Sequence, residues 1–323
     1  MGYASDLLLN LAVIVNLALA LSVPFRWGGR LLLCQGIFVG VGAYCVPLVH
    51  ATIGLSSFLA VPLTGVLGAA LGYLFAIVIR RLDPARFAVV TFLFGLAGLE
   101  VFENWDAVTG GRTGISALSL SLEGECSSKL VVGIAMVVAL AVAMVAYRAA
   151  FQTHFGRSIR AARDDPEGAL LDGVNPSSTT TEALVLACAH SSIVGALWQF
   201  AVPRVLPDYF GFWALSLPVV LACILGGGER PHHILLGSVL VFGLDEASQW
   251  LPVPVEVRAD IPLLVVGLTY VAAALAGGPE GLARSATRLA NRYFLPHGPA
   301  SSFNQPTGIP ARSTDNHRKG GVP

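Results

Sequence analysis

Apolar residues run along this chain in long blocks separated by short polar or glycine-rich stretches. A helix needs roughly 20 apolar residues to cross a bilayer. On that scale the pattern predicts spans near residues 6–25, 31–51, 56–79, 86–103, 129–149, 181–202, 212–228, 233–251 and 259–277. The expectation is an all-α polytopic membrane protein of about nine spans, within a range of about eight to ten, with the second and seventh short or broken by glycine. Residues 1–294 would form the transmembrane domain. From Leu295 onward Pro, Ser, Gly and polar residues dominate, which predicts a disordered tail over 295–323.

One polar stretch, 155–173, stands between two apolar runs. It has a basic half (Arg157, Arg160, Arg163), an acidic half (Asp164, Asp165, Glu167), and closes at Gly173. The arginines recur every third residue, which predicts short surface helical turns. Asp164 or Asp165 would cap a helix that carries Pro166 in its first turn. A short exposed helix between two spans is suited to receiving a partner.

Composition supports this frame. Of 323 residues 54% are hydrophobic and 12% charged, about half the charged share of ordinary soluble domains. The formal net charge is zero, but its distribution is uneven. With 155–173 on the cytoplasmic side, four of the twenty basic residues fall outside (Arg112, Lys129, Arg204, Arg258) and sixteen inside. That split is the one the positive-inside rule expects, and it puts the N-terminus outside and the C-terminus in the cytoplasm. The five cysteines include no C-x-x-C pair, and four lie in apolar runs as small buried side chains. Neither lysine follows a glycine, so a Walker A loop is absent and ATP hydrolysis would have to occur on another chain. Residues typical of H-E-x-x-H or G-x-S-x-G catalysis are also absent, so no enzyme is expected.

Within the spans, Asn10 and Asn16 are expected to face other helices, because an unpartnered amide is costly in hydrocarbon. Gly36 and Gly40 form a small-x-x-x-small face, followed by Gly42, Tyr44 and Pro47. His190 in the sixth span is a functional candidate by default; the alternative is a neutral, hydrogen-bonded core histidine. Neither His190 nor the His232–His233 pair has the spacing of a metal site. Trp105 suits the interfacial belt, and Thr109–Gly114 requires a tight loop with positive φ. Glu100 and Glu103 lie near the same interface. Asp245 and Glu246 sit in the eighth span, either near water or neutralised by a partner such as Arg258. Arg284, Arg288 and Arg292 form a basic stripe, read as a headgroup anchor.

Several of these stretches also carry a resemblance. Gly156-Arg157, Arg160-Ala161, Arg163-Asp164-Asp165-Pro166, Ala169 and Gly173 follow the pattern G-R-x-x-R-A-x-R-D-D-P-x-x-A-x-x-x-G. This resembles the coupling loop of LivM-type permeases in branched-chain amino acid ABC importers. Gly40-Val41-Gly42-Ala43-Tyr44 resembles the family's second span. Thr91, Phe94, Gly95, Asn104, Trp105, Asp106, Thr109, Gly110, Gly111 and Gly114 resemble its fourth span and exit. Gly195-Ala196-Leu197, Pro207 to Phe212 and Leu225-Gly226-Gly227 extend the likeness to about residues 5–280. Departures stand at Cys34 and Gln35 (Gly and His are common there), at Leu96 (usually Glu), at His190, and after Gly227.

The resemblance implies an inverted-repeat permease fold in the bacterial cytoplasmic membrane. It implies a second LivH-like permease, two ATPase subunits that hold the ATP and magnesium, and an external solute-binding protein; no cofactor of its own and no nucleic acid is expected. ATPase coupling would fall on Gly156, Arg157, Arg160, Arg163, Asp164, Asp165 and Gly173. The translocation path would draw on Gln35, Gly36, Gly40, Gly42, Tyr44, Glu100 and His190. The external loop would use Asn104, Trp105, Asp106, Thr109, Gly110 and Gly111, either as scaffold or as contact with the binding protein. The solute is open among branched-chain amino acids, urea, amides and small aromatic acids. The alternative is a stand-alone ion-coupled transporter or channel using Glu100, Asp245 or Glu246.

Overall fold

The computed structural model describes residues 2–54, 56–118, 125–227 and 231–249, with positions 264, 267 and 268. The predicted tail, most of the predicted ninth span, Arg258 and the stripe at Arg284, Arg288 and Arg292 lie outside the described residues. Helix α1 spans Gly2–Ser22 and ends in a wide turn, Val23–Trp27. Residues 28–34 are then irregular, and α2 spans Gln35–Ile53. Helix α3 covers Ser57–Ile79, α4 Pro84–Asn104, and a single turn, α5, Asp106–Thr109. After β1 (Ile115–Ser116) come α6 (Glu125–Gln152), α7 (His154–Asp164) and α8 (Pro166–Leu171). The chain continues through α9 (Pro176–Trp198), β2 (Arg204–Val205), α10 (Leu217–Gly226) and α11 (Pro231–Gln249).

Each of the first eight predicted spans coincides with a helix. Six of these are long and apolar enough to cross a membrane, and Phe212–Gly226 is a shorter apolar helix. The second span, expected from residue 31, begins instead at Gln35. The cause is Gly28-Gly29: Gly29 takes φ +65°, and Arg30 N–H turns back to the Pro24 carbonyl at 2.9 Å. A helix cannot pass through that conformation.

The same order occurs twice. A long helix (α1, α9) is followed by a stretch without α-helix (12 residues over 23–34, 18 over 199–216) and then a further helix (α2, α10). Irregular backbone packed into a bundle needs protein groups to satisfy its N–H and C=O groups. Here they do. Leu33 N–H donates to Thr91 Oγ1 at 3.2 Å, Gly36 N–H to Ser216 Oγ at 3.2 Å, and Leu118 N–H to Gln199 Oε1 at 3.0 Å.

The centre of the bundle is α9, with α2 and α3 against it. Small residues make this seam. A Cβ on Gly42 would strike the Ser192 carbonyl, one on Gly195 the Val39 carbonyl, and one on Gly72 the Cys188 side chain. Backbones that approach this closely gain dispersion contacts that lipid tails cannot replace. Ser192 Oγ adds a hydrogen bond to the Phe38 carbonyl at 2.9 Å. Asn16 is buried as expected, donating to Ala12 O at 2.8 Å and to Met136 O of α6 at 3.4 Å. Asn10 differs: it is exposed and opens on a cavity rather than on a neighbouring helix. Outward-facing Val66, Leu74 and Val78 on α3, Leu93 on α4, and Val137, Val142 and Val145 on α6 cover the bundle with exposed apolar side chains. That surface belongs in hydrocarbon.

Candidate functional site

The polar stretch folds as a hairpin of two helices, α7 and α8. Helix α7 is longer than the short turns expected, at 11 residues, and it buries Gly156, Ser158 and Ile159. A Cβ on Gly156 would meet the Ala150 and Phe151 carbonyls, so glycine permits the sharp reversal out of α6. Asp165 is the residue that caps α8: its Oδ1 accepts from Gly168 N–H at 3.0 Å, and Pro166 follows at the first helical position. Gly173 closes the hairpin at φ +80°.

The three arginines do not share one outward face. Arg157 is exposed and reaches back to the Gln152 carbonyl at 2.9 Å. Arg160 lies with its guanidinium 3.9 Å from the Phe151 ring centroid and donates to the Phe151 carbonyl at 3.3 Å. Arg163 donates to the Arg26 carbonyl and pairs with Asp164 at 2.8 Å. The water-facing tip carries Asp164, Asp165, Glu167 and Asp172, together with two leucines. Leu170 is 58% and Leu171 90% exposed.

Beside the hairpin runs the irregular segment 23–34. Trp27 is fully buried against Tyr147 (ring centroids 4.5 Å) and Phe151 (5.5 Å), where α6 meets α7. Arg30 Nη1 donates to the Leu82 carbonyl at 2.5 Å and lies 5.5 Å over the Phe87 ring. Burial lowers the Arg30 pKa from its ordinary value, with the nearby Asp83 charge opposing.

At the head of α2, Gln35 is buried and its Nε2 donates to the Leu17 carbonyl at 2.9 Å and to Ser191 Oγ at 3.0 Å. Gly36, Gly40 and Gly42 are packing positions: Gly36 against the Phe210 backbone, Gly40 against Phe102 and Phe210, Gly42 against Ser192. Tyr44 packs between Phe102, tilted at 5.3 Å, and Phe210, edge-on at 5.8 Å. Buried polar atoms along this seam, Gln35 Oε1, Tyr44 Oη and His190 Nε2, have no hydrogen-bond partner among the described residues. For His190 this departs from the hydrogen-bonded core role.

At the opposite end, Thr109 ties the α4–α5 turn by donating to the Phe102 carbonyl at 2.6 Å, and its Oγ1 accepts from Gly111 N–H at 3.2 Å. Gly110, Gly111 and Gly114 take φ of +70°, +57° and +64°, as the loop pattern requires. Asn104, Trp105 and Asp106 are exposed, and Asn104 Nδ2 donates to Glu100 Oε2 at 3.2 Å. Arg112 pairs with Glu103 at 2.9 Å. β1 and β2 pair antiparallel, Ile115 opposite Val205, so the two halves of the chain are joined at this end.

A cavity of about 600 Å³ lies among α1, α10, α11 and the irregular 207–216 segment. Asn10, Trp198, Tyr209, Trp213, Phe242 and Asp245 are on its wall. Apolar and aromatic walls with a few polar groups are the usual form of a small-molecule site. Among the described residues no group of three His, Cys, Asp or Glu could hold a metal ion. Arg26 and Arg30 make long-range hydrogen bonds that spacing alone did not predict; the Gly28-Gly29 break between them was the available signal.

These features define a polytopic membrane permease with a polar helical hairpin at one end and a glycine-tied loop at the other. The family model for the branched-chain amino acid transport system permease component matches residues 3–274, and the chain belongs to that family. It is 26% identical over 254 residues to the high-affinity branched-chain amino acid transport system permease protein LivM of Salmonella typhimurium (strain LT2). The LivM protein of Escherichia coli (strain K12) is 24% identical over 254 residues. Both matches cover 71% of this chain and 60% of the relative, so the chain spans about three-fifths of those proteins. A probable branched-chain amino acid transport permease protein LivH of Methanocaldococcus jannaschii is 24% identical over 247 residues, 73% of this chain and 76% of the relative. No solved structure matches the chain.

Proposed function

We propose that this chain is the transmembrane permease subunit of a binding-protein-dependent ABC importer for branched-chain amino acids or a similar small polar solute. In this reading it pairs with a second, LivH-like permease, and both sit in the bacterial cytoplasmic membrane with the C-terminus inside. Two ATPase subunits dock on the α7–α8 hairpins and carry the ATP and magnesium. An external binding protein meets the loop from Asn104 to Gly111.

The observation that carries the reading is the hairpin itself. A chain this apolar holds a capped two-helix hairpin with its acidic and leucine-bearing tip turned to water. No other chain segment among the described residues packs over Leu171. Family membership across residues 3–274 supports the same assignment. Mechanically, ATP-driven closure of the ATPase pair displaces the hairpin, and rigid helices pass that displacement to the bundle. No catalysis falls on this chain.

Replacing Arg157, Arg160 and Arg163 together by alanine is expected to uncouple the system. The permease should still insert, and uptake should fall by about tenfold or more while ATP hydrolysis persists. Normal uptake in that variant, measured in reconstituted vesicles, would sink the coupling assignment. The ion-coupled alternative draws on Asp245, which shares the cavity wall with Asn10. It requires transport by the isolated chain without ATP.

A further inference from the structure

The segment 23–34 touches α7, α10 and the α3–α4 turn through specific polar groups, and packs Trp27 on α6. From the hairpin, Arg163 of α7 donates to the Arg26 carbonyl, and its aliphatic stem lies where Gly29 has no side chain. A Cβ on Gly29 would come within 3.0 Å of Arg163 Cγ, and its φ of +65° excludes most other residues independently. Ile159, fully packed in α7, lies against Gly28.

From the same residue a second link goes the other way. The Arg26 side chain donates through Nη2 to the Cys223 carbonyl, and to the Ile224 carbonyl at 3.4 Å. These belong to the last turn of α10, whose end is marked by Gly227 at φ +65°. The Ile224 carbonyl already accepts from Gly227 N–H at 3.2 Å, and a cation beside the carbonyls of a helix C-terminus is stabilising. Arg26 is therefore a side-chain donor at the C-terminus of α10, beside the Gly227 cap, supplied from 197 positions away in sequence.

The opposite end of α10 is tied to the first residues of α2, which follow that segment directly. Ser216, at the start of α10, accepts from Gly36 N–H at 3.2 Å, while Gln35 holds α1 and α9. Residues 26 to 36 thus bracket α10 at both ends, and Arg30 anchors the middle to the α3–α4 turn. Among the described residues α7 and α10 share no extended packing, while Arg26 bonds to both.

We infer that Arg26 is a positioning residue for transport: it passes displacement of the α7 helix to α10 and the head of α2, beside the irregular backbone of 28–34. The inference rests on the importer reading above. Its distinct content is the route, through 23–34 rather than along α6 and α9 alone. Because Arg163 grips the Arg26 backbone while the Arg26 side chain grips α10, the two links can be cut separately.

The test uses the whole importer, reconstituted with its ATPase and binding-protein partners. Arg26→Gln removes the charged cap and keeps a hydrogen-bonding side chain; Arg26→Lys keeps the charge. With Arg26→Gln, assembly and basal ATP hydrolysis are expected to be retained, while solute moved per ATP hydrolysed falls about tenfold. Arg26→Lys should recover part of that ratio, which a purely structural defect would not follow. An unchanged ratio in an assembled Arg26→Gln complex overturns the inference and leaves the importer reading intact. A chain that never associates with ATPase subunits overturns both.

A second measurement needs no variant. In the wild-type complex trapped with a non-hydrolysable ATP analogue, amide exchange should change together in 154–164, 26–34 and 217–226. A change in 154–164 that continues into 176–198 but leaves 26–34 and 217–226 untouched contradicts the route.

Discussion

Gly42→Leu is expected to yield no folded permease. Gly42 lies where α2 crosses α9, and even a single methyl there would collide with the Ser192 carbonyl. The obstacle is backbone of a helix that is itself pinned by Gly195 against Val39 and by Ser192 Oγ bonded to the Phe38 carbonyl. Neither helix can retreat without opening the other contact. Overpacking a tight core costs about 1–3 kcal/mol where side chains can shift, and a backbone obstacle places this variant at or beyond the upper limit. Against a total stability of about 5–15 kcal/mol that is a large share. Fluorescence-detected size exclusion in mild detergent should show aggregate in place of the monodisperse peak. Gly133→Ala is the matched control. Gly133 is a helical glycine in α6 whose added Cβ would meet only Leu9 Cδ2 at 3.8 Å, an ordinary contact. That variant should run as wild type, and its midpoint temperature should be equal or higher, since alanine is the better helix former.

The second large effect concerns the hairpin tip. Leu170→Ser combined with Leu171→Ser is expected to strip the ATPase subunits from the complex without harming the fold. Leu171 is 90% exposed and Leu170 more than half exposed, so the isolated chain loses only part of one leucine's buried apolar area. If each leucine is buried at the ATPase surface, each contributes about 1.5–3 kcal/mol of association. Losing both then weakens binding by at least about a hundredfold. Recovery of the ATPase in a pull-down should drop to background while permease yield and midpoint temperature hold. Full recovery would move the docking contact to the acidic residues of the tip, Asp164, Asp165 and Glu167, and away from the leucines.

Much of this was legible in the sequence because the signals were local. Asp165-Pro166 reads as a helix start wherever it stands free of a span, and the capping bond to Gly168 follows. Gly110, Gly111 and Gly114 announce left-handed backbone by their density, and all three adopt it. The blocks of apolar residues located eight of the helices, α1 to α4, α6 and α9 to α11. What the chain could not reveal locally is direction. Arg157, Arg160 and Arg163 recur at helical spacing, yet which way that face turns is decided by Phe151 and by the Arg26 carbonyl. Likewise residues 31–34 are as apolar as a span. In hydrocarbon an extended strand and a helix of such residues carry the same composition, and the Gly28-Gly29 break tips the balance. Asn10 and Asn16 are the same residue in the same helix. One finds Met136 across a packed interface and the other opens on a cavity, because only the neighbours differ.

The central claim is that this chain works as one subunit of an ATP-driven importer through its α7–α8 hairpin. The most direct test is an affinity pull-down of tagged chain from gently solubilised membranes, with every co-purifying protein identified. The account predicts recovery of a second permease and one or two P-loop ATPases, and loss of the ATPases alone when Leu170 and Leu171 are replaced. A chain that emerges without partners, yet moves solute across liposomes in the absence of ATP, would contradict it.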